Sequence, residues 1–258
     1  MIGELADLAI LAQSALTTTA LVFLRVGAVM AVLPAFGERS IPERVRLVLA
    51  LGFTLIVAPA VSPLIDAALA RGTALVVLGL TEIVAGLALG IAIRLFVIAL
   101  QITGSMAAQA TSLAQIFGDV GIEPQPAMGH LLVVSGLALA VLLGLHVKVA
   151  QVLIMSYDIF SPGLSPRPGE FADWGVGRIG RAFALGFSLA LPFVIASLIY
   201  NLALGVINRA MPQLMVAFVG APAITAGSLL LMFLSLPFLL SLWVSGFDLF
   251  LANPVGEN

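Results

Sequence analysis

Long stretches of this chain carry no charged side chain, and the few charges act as punctuation between them. Charge-free runs cover 47–65, 95–118, 124–147, 182–208 and 210–247. About 20 apolar residues cross the hydrocarbon core of a bilayer, so each run has room for a span. Segment 10–33, interrupted only by Arg25, and segment 73–93 extend the pattern, which predicts about six or seven helices. As one helix the 210–247 run would reach roughly 57 Å at about 1.5 Å per residue, against a core about 30 Å thick. It must tilt, break or project, and Pro212, Pro222 and Pro237 are its candidate break points.

Polar interruptions divide the pattern. Gly37–Arg46 (GERSIPERVR) is the densest charge cluster, and Ser40, Pro42 and Glu43 within it read as a helix start with proline near the first position. Residues 161–170 (SPGLSPRPGE) hold three prolines and two glycines and read as a breaker. We therefore expect an N-terminal helical part over 1–157, a Pro/Gly-rich connector over 158–177 and a C-terminal helical hairpin over 178–258. Met1–Ala9 carries Glu4 and Asp7 and no basic residue, unlike a signal-peptide start, so 10–33 reads as a retained membrane helix. Gln101–Met128 is different in kind: rich in Gln, Thr, Ser and Gly, then acidic at Asp119 and Glu123 before Pro124 and Pro126. Irregular backbone at membrane depth is tolerated only where protein buries it or a cavity hydrates it. That stretch is either a re-entrant, pore-occluding loop or an ordinary connection.

Composition decides the class. Of 258 residues 61% are apolar and 9% charged, whereas soluble domains run at about 45–50% and 25%. So few charges cannot cover a soluble globule, which excludes a cytosolic enzyme and a disordered linker. With 11 basic against 13 acidic residues there is no positive excess for nucleic acid. The absence of cysteine removes disulfides, iron–sulfur clusters and thiolate zinc sites. This is an all-α integral membrane protein. Loop arginines do not orient it: six spans place Arg39, Arg44, Arg46 and Arg209 on one side and Arg71, Arg167, Arg178 and Arg181 on the other.

Charges inside the apolar segments are the sharper signal, since each costs about 2.5–3.5 kcal/mol at a span's centre. Arg25, Glu82, Arg94, Lys148 and Arg209 qualify. For Arg25 and Lys148 a structural ion pair or snorkelling at a helix end is preferred; for Glu82 structural and functional readings stand level. Glu82 and Arg94 lie about 120° apart around one helix, so each needs a partner elsewhere. Small residues recur at four-residue spacing: Gly86 and Gly90; Gly136, Ala140 and Gly144; Gly180, Ala184 and Ser188. Such stripes let helices approach closely, within the chain or between subunits. His130 and His146 accompany no zinc motif, and no nucleophile elbow, Walker A or paired-Asp motif occurs. We expect no enzyme and no cofactor.

In order and spacing these landmarks resemble the FliR family, an export-gate subunit of flagellar and related type III secretion systems. The matching residues run from Leu24-Arg25 and Pro34 through Arg39-Ser40-Ile41-Pro42, Arg44 and Arg46. They continue with Glu82, Gly86 and Gly90, then Gln109 ahead of Asp119. The most specific stretch is Leu189-Ala190-Leu191-Pro192-Phe193, Asn201-Leu202-Ala203-Leu204-Gly205, Asn208-Arg209, Pro212-Gln213-Leu214, Gly220 and Pro222. The resemblance implies a multi-pass protein of the bacterial inner membrane and flagellar basal body. It implies assembly with FliP and FliQ copies into a helical gate, contact with FlhB and with FlhA as a further candidate, and passage of unfolded export substrates. It also implies a FliP-like part fused to a FliQ-like hairpin, and a gate raised from the bilayer plane, which would account for the undecided loop charges.

By the same resemblance a plug occupies about 109–126, carried by Gln109, Thr111, Ile116, Phe117, Asp119, Glu123 and Pro124. Ile116 and Phe117 would be its apolar stopper, with Asp119 and Glu123 hydrating it when displaced. The chain departs from the family where Thr111 stands for a usual glycine and Val120 follows Asp119 in place of proline. Arg25, Glu82, Arg94, Asn201 and Arg209 would serve intramembrane charge and assembly. Pro42, Gly86, Gly90, Pro192, Gly205, Pro212, Gly220 and Pro222 would serve packing and turns. Two rivals remain: a secondary transporter using Glu82, Arg94 and Arg209 near a midplane site, and a purely structural membrane scaffold.

Overall fold

A computed structural model describes residues 2–36, 41–112, 127–164, 167–211, 216–254 and 256. Among them are seven helices and no strand: α1 Ile2–Val32, α2 Glu43–Ala70, α3 Leu75–Ser112, α4 Ala127–Leu142, α5 Leu145–Ile159, α6 Pro168–Ala210 and α7 Val216–Ala252. Five are long and apolar enough to cross a membrane, and α4 with α5, bent by 76°, makes a sixth if the two form one broken span. Gly144, at φ 82°, sits at that bend, where a residue with a Cβ would be strained. Segment 124–147 is thus not one straight helix. Gly144 turns the chain and does not continue the Gly136–Ala140 packing stripe.

The breaks fall where polar and proline residues put them. Pro42 stands immediately before α2 with φ −56° and ψ 140°. Pro168 opens α6, where its missing N–H would have no helical partner anyway. Pro192 lies inside α6 and Pro222 and Pro237 inside α7, so these prolines do not end their helices. Each only removes one helical hydrogen bond. Pro212 lies outside the described residues.

The polar stretch from Gln101 is helix up to Ser112, where a loop was expected. Its hydroxyls bond back to helical carbonyls, Thr103 Oγ1 to Ala99 O at 2.8 Å and Ser105 Oγ to Ile102 O at 2.9 Å, so the polar groups do not demand an irregular backbone.

The chain folds as two compact units, one of Met1–Arg94, Val141–Arg178 and Asp248–Asn258, the other of Leu95–Ala140 and Ile179–Phe247. In the first, α1 and α2 run antiparallel, with Thr18 Oγ1 donating to Asp66 Oδ1 at 3.0 Å and Phe36 edge-on to Phe53 at 6.4 Å. The core joins Val26 and Met30 of α1, Val57 and Ile65 of α2, Leu89 of α3 and Val152 of α5, all buried. The turn after α5 is fixed by Gly163, at φ 74°, whose N–H donates to Thr81 Oγ1 at 3.2 Å. Phe160, Phe171 and Trp174 pack on one another beside it.

The second unit is organised by small residues and one tryptophan. Gly104 lies against the backbone of Gly129, with no room for a Cβ. Gly186 lies against the Ala99 carbonyl and Ile102 and receives the Thr103 hydroxyl at 3.0 Å. Trp243 is fully buried, donates from Nε1 to Phe96 O at 2.8 Å and stacks on Phe247. Antiparallel packing of α6 and α7 is marked by Tyr200 Oη donating to Gly220 O at 2.8 Å.

Candidate functional site

The most concentrated chemistry in the described residues is an ion pair sealed inside the first unit. Arg25 and Glu82 are both 0% exposed. The guanidinium grips the carboxylate in a fork, Nε to Oε2 at 2.7 Å and Nη2 to Oε1 at 2.9 Å. Nη1 donates to Ser156 Oγ at 3.0 Å and Nη2 also to Phe160 O at 2.7 Å, while the Tyr157 ring lies 3.6 Å beneath the guanidinium. A fork of this kind with a stacked ring is a geometry lysine cannot reproduce.

The arrangement follows from where each residue falls on its helix. Gly86 lies one turn after Glu82 and meets the Arg25 carbonyl and Ala28; Gly90 meets Val29 and Val32. Without side chains at 86 and 90, α3 lies close along α1 and the two run in the same direction. Arg94, the next step of this four-residue row, donates to Val32 O at 3.4 Å. Glu82 and Arg94 both face α1, although they are about 120° apart around α3. The contact between inclined helices follows an i±4 ridge, not a line parallel to the axis.

Phe160 is the cap residue ending α5. Terminal helical carbonyls need a partner when water is excluded, and Arg25 supplies one from another helix, with its charge at the favourable end of the helix dipole. Glu82 in turn balances that charge. What the site does chemically is bind three helices and a turn together in an apolar setting. Among the described residues no group of three or more metal-ligating side chains is gathered.

A second pair joins α5 and α7 in the same unit, Lys148 Nζ to Asp248 Oδ1 at 2.6 Å. It is about one-third exposed, so its contribution is small. Asn201 satisfies itself locally, donating to Ser197 O at 2.8 Å. Arg209 and Gly205 are exposed near the end of α6, and among the described residues nothing outside its own helix lies within 4 Å of where a Gly205 Cβ would stand. Gly220 packs against Leu204 and Tyr200. Gly180, Ala184 and Ser188 are exposed, so that stripe is not used within its own unit. Gln109 is exposed near the end of α3 and Thr111 follows within the helix. Ile116, Phe117, Asp119, Glu123 and Pro124 lie outside the described residues.

Residues 16–250 match the family of bacterial export proteins, family 1. The flagellar biosynthetic protein FliR of Caulobacter vibrioides is 33% identical over 230 residues, covering 87% of this chain and 90% of that one. The FliR of Escherichia coli K12 is 30% identical over 241 residues, 91% of each. That of Bacillus subtilis 168 is 26% identical over 219 residues, 82% and 83% of the two chains.

The chain belongs to the FliR family.

It is a multi-pass protein of the bacterial inner membrane, in the export family of flagellar biosynthesis. Within this FliR-family chain, sequence reasoning singled out Arg25 and Glu82 but did not pair them. It missed Ser156, Tyr157 and Phe160, which complete the site, and Trp243 and Asp248. Asp248 had a signal: it is the charge that ends a long uncharged run, and Lys148 needed a counter-ion. Nothing in the text marks Phe160, because it contributes only a backbone carbonyl.

Proposed function

We propose that this chain is one subunit of the flagellar type III protein export gate, built with FliP and FliQ homologues, contacted by FlhB and FlhA, through which unfolded flagellar proteins leave the cytoplasm. The observation that carries this reading is its near end-to-end similarity to flagellar FliR proteins. Support comes from the surface: only 17% of the most apolar window of α7 is buried, and Leu230, Phe233, Leu234 and Phe238 stand open there. A face of that kind needs lipid or other apolar helices against it. Residues 1–157 act as the FliP-like part, 158–177 as the connector and 178–258 as the FliQ-like hairpin. The role is conducting and structural, with no catalysis by this chain.

The segment about 109–126 forms the plug of the closed gate. A gate must hold a wide passage shut against ions yet open for a polypeptide. Small and polar side chains around Ile116 and Phe117 fill a pore without the permanent packing of a Leu/Phe core. The test is deletion of 110–122 in cells making the whole complex, with ion conductance of the inner membrane as readout. Leakage well above the undeleted complex is expected; unchanged leakage with normal assembly refutes the plug.

A further inference from the structure

One feature of the first unit is used by neither the ion pair nor the gate. A groove of about 250 Å³ opens beside the start of α3, walled by Val77, Leu80 and Val84, floored by Ala85 and Phe160 and closed by Leu164 at the α5–α6 turn. Its α3 wall is exposed, although α3 has the length and composition of a membrane span. A hydrocarbon chain can lie along this open, apolar wall.

At the end where the groove meets the turn stands Arg71. Its Nη2 donates to Pro162 O at 3.2 Å, next to Ser161 on the groove's rim. Arg71 makes no ion pair among the described residues, whereas Arg167 spends its charge on Glu170 at 2.8 Å. Arg71 precedes the first residue of α3, Leu75, by four positions, so it lies where the apolar span ends. The stacked Phe171 and Trp174 pack against Phe160 at that end, as aromatic side chains do at headgroup level. A guanidinium with unspent donors is suited to a phosphate.

We propose that this groove holds one acyl chain of a glycerophospholipid whose phosphate rests on Arg71. The full chain, purified in mild detergent and stripped of lipid, is titrated with dioleoylphosphatidylglycerol or with dioleoylglycerol, which lacks the phosphate. Bound lipid is counted by native mass spectrometry. The unaltered chain is expected to hold one phosphatidylglycerol at least about fivefold more tightly than the diacylglycerol, an arginine–phosphate preference. Arg71→Gln is expected to remove that preference, and Val84→Trp, which fills the groove, to weaken both lipids. Leu80→Trp repeats the filling one turn earlier on the same wall should Val84→Trp not fold. Filled variants that bind like the unaltered chain, or a preference that survives Arg71→Gln, would overturn the proposal. So would a photoreactive residue at Val84 that crosslinks to a protein subunit and not to lipid in native membranes.

Discussion

Removing one member of the Arg25–Glu82 pair is the most informative perturbation. In Arg25→Met the Glu82 carboxylate loses both of its guanidinium bonds while remaining 0% exposed. Phe160 O loses its 2.7 Å partner at the end of α5. Breaking a buried pair from one side costs about 3–5 kcal/mol, a hundred- to several-thousand-fold change in the unfolded fraction at about 1.4 kcal/mol per tenfold. Glu82→Leu costs a similar amount, because the guanidinium cannot shed its charge.

The double replacement is the decisive arm. With both charges gone no buried ion remains, and the residual cost is the orphaned Phe160 carbonyl, about 1–3 kcal/mol. The Ser156 hydroxyl still donates to Leu153 O at 2.6 Å. The two single costs therefore fail to add, by about 3 kcal/mol or more. Since the chain has no cysteine, one placed at Val61, buried in the first unit, reports opening through its rate of maleimide labelling. Single costs that add to within about 0.5 kcal/mol would refute the reasoning, and the pair would then hold nothing together.

Other expectations follow from the same contacts. Gly86→Val puts a side chain against the Arg25 carbonyl and the Ala28 Cβ; it should destabilise by more than about 2 kcal/mol, read as faster labelling at Val61→Cys. Gly205→Ala meets nothing outside its own helix within 4 Å among the described residues. It should leave the isolated chain unchanged or more stable by up to about 1 kcal/mol, and a loss of co-purifying subunits in that variant would mark Gly205 as an assembly contact. Trp243→Phe removes the bond to Phe96 O and some volume, for about 2–3 kcal/mol in thermal denaturation. Lys148→Ala breaks a pair about one-third exposed and should cost no more than about 1 kcal/mol in the same assay.

Much of this fold was legible because a membrane makes charge expensive. Uncharged runs gave the helices, and prolines with polar clusters gave the breaks before α2 and α6. The bend at Gly144 was not legible, since a glycine inside an apolar run looks the same whether it packs a helix or turns it. Nor was the continuation of α3 through 101–112, because serine and threonine silence their own polarity by bonding to helical carbonyls. That Glu82 needs a partner elsewhere, on another helix, on another subunit or in a water-filled path, could be read directly; that the partner is Arg25 could not. Helical phase alone separated Glu82 from Arg94, and only the inclined crossing of α1 and α3 puts both on one contact. Gly86 and Gly90 turned out to serve that crossing within the chain, while Gly180, Ala184 and Ser188 are left open on their unit.

The central claim is that this chain works as one part of a heteromeric export gate. Intact mass of the complex captured gently on a tagged copy from its native membrane tests it most directly. The account predicts a discrete assembly containing several FliP and FliQ homologues with this chain. A stable, monodisperse lone chain or homodimer from the same membrane would contradict it.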